Sequence, residues 1–134
     1  MQILMPVEGV VWTWVIENLV DNKLTITDFF SMHRMTQQCT SVGCKWKEMH
    51  SGFLYYYGLT ANSLIDVVKT CLWLAKDFAD CDAFSVQTVM DNDKDTLINQ
   101  CGFSTGDGRL MYYLVNWSTG DADIQAKDVG AILV

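Results

Sequence analysis

The residues best suited to chemistry lie in the last third of this 134-residue chain. Asp107 stands between Gly106 and Gly108, an aromatic stretch follows at residues 109–117, and residues 129–134 form an apolar end. An aspartate between glycines lies beside open backbone amides, where it could hold a hydroxyl or cationic group of a peptide. The same three residues are equally well explained as a tight turn into a strand, because glycine tolerates positive φ and aspartate bonds its own backbone. A chain that ends on apolar residues can bury its C-terminal carboxylate, and such a group could accept a proton.

The other polar residues form no pattern typical of catalysis or cofactor binding. His33 and His50 are isolated, and no serine or cysteine stands in a recognisable triad context. A metal site built from Cys39, Cys44 and His50 is conceivable, but a fourth ligand is missing, so free thiols in or near the core are favoured. Neither a glycine-rich dinucleotide motif nor a phosphate-loop lysine occurs. We therefore expect this chain to bind no metal and no cofactor by itself.

Composition restricts the class of protein. Half of the residues are apolar, which favours one packed domain, and the net charge of −7 disfavours nucleic acid and anionic membranes but favours a basic peptide. The longest apolar-rich stretch, residues 64–78, is too short and too charged to span a bilayer. Five cysteines without a Cys-x-x-Cys pair are typical of a reducing compartment. Because the N-terminus has neither a basic region nor a cleavage site, we predict a soluble, cytoplasmic protein.

Hydrophobic periodicity predicts an α+β fold with a mixed, mainly antiparallel sheet and one long packed helix. The helix is capped by Asn62 or Ser63, runs to Phe78 and crosses between two strands. Residues 36–48 are mixed and polar, and they fit a short helix or a loop equally well. The other predicted elements are strands at residues 10–16, 25–32, 52–58, 83–89, 109–117 and 131–134, a turn at 21–23, and a short helix from residue 92 or 93 to about 102.

Aromatic side chains concentrate on two of these strands. Core and sheet-face packing is the favoured explanation for most of them. The alternative is that some phenols line a groove, where a ring combines apolar contact with a hydrogen bond. The residues are Tyr55, Tyr56, Tyr57, Tyr112, Tyr113 and Trp117.

The stretch from Gly106 to Trp117, with its Gly-Asp-Gly, Tyr112-Tyr113-Leu114 and Asn116-Trp117, resembles the C-terminal part of the N-myristoyltransferases. These enzymes acylate N-terminal glycines from myristoyl-CoA. The likeness extends in order through nearly the whole chain from about Val10, and such a series is far more specific than any one of its pieces. The other matching pieces are Ile16-Glu17-Asn18, Thr27-Asp28-Phe29-Phe30-Ser31, Leu54 to Tyr57, Leu64 to Lys76, Asp82-Ala83-Phe84 and the tail from Val129 to Val134.

The resemblance implies an acetyltransferase-like (GNAT-type) half of a two-half enzyme. Residues 1–134 would then be the C-terminal, peptide-binding domain, incomplete at its N-terminal edge, and the half that holds the acyl-CoA would be absent. The implied partners are peptides or proteins with an N-terminal glycine and an acyl-CoA-binding half. Myristoyl-CoA would be the co-substrate of the full family enzyme, while nucleic acid and a membrane span play no part.

Site residues follow from the resemblance position by position. The carboxylate of Val134 would receive the proton of the substrate's glycine ammonium, with Leu133 beside it against the peptide. Asp107 and Gly108 would contact the peptide a few residues beyond that glycine, where the family favours serine. The strand Tyr55-Tyr56-Tyr57 would wall the groove.

Two places depart from the family pattern. The family's Phe-Asn-Ala-Leu becomes Phe84-Ser85-Val86-Gln87, and its Lys-Phe-Gly before the Gly-Asp-Gly becomes Gly102-Phe103-Ser104. Both leave the detailed specificity of the groove open.

The function implied is transfer of a myristoyl group from myristoyl-CoA to the N-terminal glycine of proteins, with this chain as the peptide-binding half. Because the acyl-CoA half is absent, we expect no turnover by this chain alone. The alternatives are a non-catalytic relative that binds peptides or another chain, and a truncated remnant without activity.

Overall fold

A computed structural model of the chain describes residues 2–3, 11–38, 42–43, 45, 47–120 and 123–132. The chain divides into two compact units, residues 1–87 with 132–134 and residues 88–131. The first unit contains a five-stranded sheet in the order β1-β2-β3-β4-β5 and one long helix. Its elements are β1 (Gln2–Ile3), β2 (Val11–Val20), β3 (Lys23–Gln38), β4 (Glu48–Gly58), α1 (Leu64–Asp77) and β5 (Ala83–Ser85).

A two-residue turn joins β2 to β3. Asp21 and Asn22 have φ angles of 49° and 61°, and Val20 pairs with Lys23 across the turn. Positive φ at both central residues matches the twist of a hairpin, and aspartate and asparagine tolerate it better than most residues. The predicted turn and the strands that flank it are therefore confirmed.

The stretch at residues 36–48, which sequence patterns left undecided, begins and ends in strands. Residues 36–38 continue β3, and their partners Glu48, Met49 and His50 open β4. The side chains here are mixed and polar, but backbone hydrogen bonds of a ladder do not depend on them. Both strands are consequently longer than the apolar pattern predicted.

The core lies between the sheet and α1. Trp14, Phe30, Met32 and Leu54 are fully buried on the sheet. The ring of Phe78, the residue that ends α1, meets Trp14 edge to face at 6.0 Å. The predicted apolar face of the helix is confirmed by the burial of Val67, Val68, Cys71 and Ala75, and Leu74 is buried as well.

Both ends of α1 are held by polar contacts. Ser63 is the cap, because its Oγ accepts the backbone N–H of Asp66 at 3.2 Å and donates to the Asp66 carboxylate at 2.6 Å. At the other end Arg34 donates to the carbonyl oxygen of Ala79 at 2.7 Å. A cation suits a helix C-terminus because the last carbonyls carry partial negative charge.

The strand after α1 makes the sheet mixed. Ser51, Gly52 and Phe53 of β4 pair with β5 in parallel. The close approach requires glycine, since a Cβ at position 52 would lie 2.8 Å from the ring of Phe84. The predicted class, α+β with a mixed sheet, is confirmed, although β5 ends at Ser85 and not near residue 89.

The second unit contains one short helix, α2 (Lys94–Cys101), and a 3-10 turn, Ala126–Asp128. Asp93 caps α2 by accepting the backbone N–H of Thr96 at 2.8 Å, and hydrogen bonding to Thr96 lowers the pKa of Asp93. Gly102 ends the helix with a φ of 77°. The predicted short helix is confirmed.

The predicted strand at residues 109–117 is wrong. These residues have no regular secondary structure, and Tyr113 and Trp117 are 78% and 80% exposed. β-branched and aromatic residues favour a strand only where a neighbouring strand and a face to pack on exist, and no described strand pairs with this segment. The expected strand at 131–134 is also absent at Ala131 and Ile132, while 133 and 134 lie outside the described residues.

Candidate functional site

The predicted groove strand, Tyr55-Tyr56-Tyr57, is bulged. Phe30 pairs with Tyr57 and Met32 with Leu54, so Tyr55 and Tyr56 together oppose the single residue Ser31. A bulge of this kind leaves one residue without ladder partners and re-aims the side chains beside it.

Ser31 supplies the missing partners. Its Oγ donates to the carbonyl oxygen of Tyr56 at 2.8 Å and accepts the backbone N–H of Tyr56 at 2.9 Å. Because Ser31 is itself buried, these bonds satisfy polar groups that water does not reach. The serine hydroxyl therefore holds the bulge in place.

The bulge separates the three tyrosines. The rings of Tyr55 and Tyr56 lie 4.4 Å apart at 58°. Tyr57 stands beside Phe30, which is buried in the core under α1. Side chains alternate along β3, so Phe30 and Ser31 lie on opposite faces of the sheet. The bulge next to Ser31 is therefore on the face opposite the core residue Phe30.

Asp28 is a buried carboxylate next to this region, at 2% exposure. Its Oδ1 accepts three backbone N–H groups, from Thr60 at 2.5 Å, Ala61 at 2.9 Å and Asn62 at 3.3 Å. Its Oδ2 accepts the Thr27 hydroxyl at 2.6 Å and the Asn62 side-chain amide at 2.6 Å. One carboxylate thus fixes the loop that joins β4 to α1.

These bonds keep Asp28 ionised. Burial alone raises the pKa of this carboxyl, but the hydrogen bonds from Thr27, Ala61, Thr60 and Asn62 outweigh burial and hold the pKa well below its usual range. A second bulge lies nearby, between Ile16 and Glu17. The Thr27 hydroxyl accepts the side-chain amide of Asn18 there at 2.8 Å.

The Gly-Asp-Gly segment belongs to the second unit and is open. Asp107 is exposed at a bend, and neither Gly106 nor Gly108 has positive φ. A Cβ at either glycine would meet no atom within 4 Å. The turn explanation therefore loses its physical reason, since no described contact or dihedral requires glycine at these two positions.

One hydrogen bond connects the aromatic segment to the end of the second unit. The hydroxyl of Tyr112 donates to the carbonyl oxygen of Ala131 at 2.8 Å. Ala131 lies within the apolar tail, residues 129–134. Leu133, the predicted peptide contact, and Val134, the predicted proton acceptor, lie outside the described residues.

Cysteines and histidines form no metal site among the residues that the structure describes. Cys39 and Cys44, considered above as ligands, lie outside that part of the chain, and the Nδ1 of His50 is 3.0 Å from the carbonyl oxygen of Asp80. Cys71 is a free thiol in the core, where burial raises its pKa, and Cys81 is a half-buried free thiol. Burial also raises the pKa of Cys81.

Sequence patterns missed the two buried polar residues that organise this region. Ser31 and Asp28 lie in the matched Thr27-Asp28-Phe29-Phe30-Ser31 piece, but their backbone partners are 25 to 34 residues away. The available signal was the presence of these polar residues beside the apolar residues Phe29, Phe30 and Met32. A third such residue is His33, which is buried on the same strand.

Comparison with known proteins identifies the family. The family model described as "Myristoyl-CoA:protein N-myristoyltransferase, C-terminal domain" matches residues 2–132. The glycylpeptide N-tetradecanoyltransferase of Schizosaccharomyces pombe is 36% identical over 124 residues, which cover 81% of this chain and 25% of that protein. A protein of Caenorhabditis elegans, named a probable glycylpeptide N-tetradecanoyltransferase, is 32% identical over 131 residues, covering 97% of this chain and 27% of its own length.

A solved structure agrees with these relatives. Saccharomyces cerevisiae N-myristoyltransferase, crystallised with bound myristoyl-CoA, matches 75% of this chain with a TM-score of 0.53 at 28% identity. The match covers 25% of that protein, so the chain spans about a quarter of the length of its relatives. In the described part of the chain, no helix has the length and apolar character needed to cross a membrane. The family match and the mixed sheet together support the predicted acetyltransferase-like architecture, and the chain belongs to the N-myristoyltransferase family, as its C-terminal part.

Proposed function

We propose that this chain supplies the peptide-binding half of a glycylpeptide N-myristoyltransferase. The reaction is transfer of a myristoyl group from myristoyl-CoA to the N-terminal glycine of a protein. The observation that carries the proposal is the family match over residues 2–132. We place the reaction in the cytoplasm, where a reducing environment keeps free thiols such as Cys71 reduced.

The peptide would lie along the bulged strand. At the bulge, Tyr55 and Tyr56 are half-buried, so each ring keeps some surface available for a ligand. Tyr57 is proposed as a further groove residue on the resemblance alone. Amphipathic rings suit this role because they give apolar contact and a hydrogen bond together.

Asp107 and Gly108 are proposed to hold the peptide a few residues beyond its glycine. The exposed carboxylate of Asp107 can accept a hydroxyl or a cationic group. The open space around Gly106 and Gly108 supports this role, since a backbone without side chains lets another backbone come close.

The carboxylate of Val134 is proposed as the proton acceptor, with Leu133 against the peptide. A glycine ammonium has a reference pKa of about 8, so presenting the free amine at neutral pH costs only about 1.4 kcal/mol. Position then matters more than basicity, and apolar neighbours such as Ile132 would exclude water. The free amine can attack the thioester carbonyl directly, which needs no covalent enzyme intermediate.

The acyl-CoA is proposed to bind to a second half, which this chain does not supply. The family member crystallised with myristoyl-CoA is about four times as long as the matched region. The exposed apolar segment at residues 110–117 supports a partner of this kind, because an exposed apolar stretch typically marks a protein interface.

A second candidate function is a non-catalytic relative that binds peptides or another chain. This chain matches about a quarter of the length of its relatives, and binding of a peptide or another chain is the role that requires no acyl-CoA half. A remnant with neither activity remains the third outcome of the same test.

The test measures CoA release from myristoyl-CoA with a Gly-x-x-x-Ser peptide, beside direct binding of that peptide. Each assay is run with the chain alone and with the acyl-CoA half of a family member. Turnover in the complemented sample supports the enzyme, and binding without turnover supports the binding relative. If neither occurs, both functions are wrong.

The proton acceptor has its own test in the complemented enzyme. Appending one glycine after Val134 moves the carboxylate by a residue and should abolish acyl transfer while leaving peptide binding within about threefold, since the remaining contacts are kept. Unchanged turnover would show that this carboxylate is not the base.

A further inference from the structure

His33 is a buried polar residue without a visible purpose in the fold. It is 9% exposed, and its Nδ1 has no hydrogen-bond partner among the described residues. Buried side-chain nitrogen and oxygen atoms are nearly always hydrogen-bonded, because leaving one unpaired forfeits the hydrogen bonds it had in water. A buried imidazole nitrogen without a partner therefore points to a partner that binds from outside.

The position of His33 places it on the face of the sheet that carries the bulge. It follows Ser31 by two residues on β3, and alternation puts both side chains on the face opposite Met32. Met32 is fully buried on the core side. His33 pairs with Phe53, and the two rings lie 6.4 Å apart at an angle of 37°.

The two cross-strand neighbours of His33 are apolar. The ring of Phe53 covers one side of the His33 ring. On β2, the residue that pairs with His33 is the aliphatic Val11. The nearest polar group on the same strand face, the Ser31 hydroxyl, is already occupied by the backbone of Tyr56. The unpaired nitrogen thus belongs to a residue two positions beyond Ser31, which faces the bulge that carries Tyr55 and Tyr56.

We propose that His33 is a specificity-determining residue that hydrogen-bonds the bound peptide through Nδ1. This contact rests on the proposed peptide-binding function and adds a polar anchor to the tyrosine wall. A neutral imidazole with its proton on Nε2 presents Nδ1 as an acceptor, so the peptide supplies a main-chain N–H or a hydroxyl group. A small side-chain rotation on binding, which is common at interfaces, brings the nitrogen to the ligand.

Two substitutions separate this contact from a structural role. His33→Phe keeps a ring and removes the nitrogen, while His33→Asn keeps a polar atom close to the Nδ1 position. The full chain and both variants are titrated with a Gly-x-x-x-Ser peptide by calorimetry, and their urea unfolding midpoints are measured. His50→Phe is the matched control, because its imidazole already contacts Asp80.

The proposed contact predicts that removing the nitrogen weakens peptide binding without lowering the stability of the chain. His33→Phe should bind the peptide about tenfold more weakly, the value of one hydrogen bond, while its unfolding midpoint stays equal or rises because an unpaired buried atom is gone. His33→Asn should bind within about threefold of the unsubstituted chain. His50→Phe should leave the peptide affinity unchanged.

Other results overturn the inference in distinguishable ways. If no peptide binds to the unsubstituted chain, either alone or with the acyl-CoA half of a family member, the proposed function fails and the contact fails with it. If the unsubstituted chain and His33→Phe bind equally well, the function stands and the role of His33 is wrong. If His33→Phe loses affinity and stability together and His33→Asn does not restore binding, His33 is only structural, with a buried water as its partner.

Discussion

Two aromatic stretches of this chain have similar composition and opposite structures. Leu54 to Tyr57 lies in β4, paired with β3, while Tyr112 to Trp117 has no regular secondary structure and is largely exposed. Both are rich in residues that favour strands. The difference is the neighbour, because β3 offers β4 a ladder that begins at Phe29, whereas no described strand pairs with the second stretch. Strand propensity becomes a strand only when a partner edge is present.

The polar contacts of the two stretches differ in the same way. The first is fixed by the Ser31 hydroxyl at the bulge and by Asp28, which holds the loop that leaves β4. In the second, the Tyr112 hydroxyl donates a hydrogen bond to the carbonyl oxygen of Ala131. Internal contacts thus set the geometry of the first stretch, whereas the second is exposed and would contact a partner under the proposed function.

The largest expected effect comes from breaking the Asp28 network. Asp28→Asn replaces an acceptor of six hydrogen bonds by an amide whose NH₂ group faces donors, so the free energy of unfolding should fall by about 3 kcal/mol. Urea unfolding followed by tryptophan fluorescence measures it. Asp77→Asn, at an exposed acid of α1, should change the stability by less than about 0.5 kcal/mol. Equal losses in the two variants would contradict the role of Asp28.

The bulge should be the next most sensitive point. Ser31→Ala leaves the backbone N–H and carbonyl of Tyr56 without their partner, which should cost about 2 kcal/mol and weaken peptide binding through displaced tyrosine rings. Ser85→Ala, on an exposed residue of β5, is the control. If Ser31→Ala is as stable as the unsubstituted chain and binds the peptide with unchanged affinity, the bulge does not depend on the Ser31 hydroxyl.

Acid should weaken the anchored region through Asp28. The pKa of Asp28 in the folded chain lies below the unfolded value of about 3.9. Its contribution to the free energy of unfolding is therefore complete above about pH 3.9, and it is lost as the pH falls towards the folded pKa. In that window the unfolded state binds the proton first, and stability should fall by up to about 1.4 kcal/mol per pH unit. The measurement is the difference in the free energy of unfolding between the unsubstituted chain and Asp28→Asn. The contributions of the other acidic residues are the same in both and drop out of this difference. If this difference stays constant between pH 5 and 2.5, the predicted role of Asp28 in acid sensitivity is wrong.

How far the sequence predicted this structure depended on the range of the contacts. The Asp21-Asn22 turn, the Ser63 cap and the helix ending at Gly102 depend on residues at most a few positions apart, and all three were predicted. The contacts of Ser31 and Asp28 join residues far apart in the chain, which local patterns do not encode.

The wrong strand at residues 109–117 has the same origin. Its periodicity and propensity are local and correct for a strand, but the neighbour it needs is a long-range feature. Of the candidate site, the sequence indicated the tyrosine strand and the open Gly106–Gly108 segment. It did not indicate the bulge that separates Tyr57 from the Tyr55 and Tyr56 pair.

A smaller effect is expected where the aromatic segment makes its hydroxyl contact. Tyr112→Phe removes the bond to the Ala131 carbonyl and should cost about 1 kcal/mol, because the carbonyl is near the surface and water replaces part of the bond. Tyr113→Phe, on a side chain that is mostly exposed, is the matched control and should be neutral. Thermal unfolding of both variants measures the effect, and a neutral Tyr112→Phe would show that the hydroxyl does not hold the segment.

The smallest effect on stability should come from the exposed end of the segment. Trp117→Ser should change the free energy of unfolding by less than about 0.5 kcal/mol, because its ring is 80% exposed in this chain. The same change should weaken association with the acyl-CoA half of a family member at least about tenfold if the segment completes its packing there, since aromatic rings dominate interface energetics. Trp73→Ser, on the solvent side of α1 and 59% exposed, is the matched control and should leave association unchanged. Calorimetric titration with the separate half measures both. If both variants weaken association equally, the segment is not the interface. The exposure of its aromatic residues would then need another explanation.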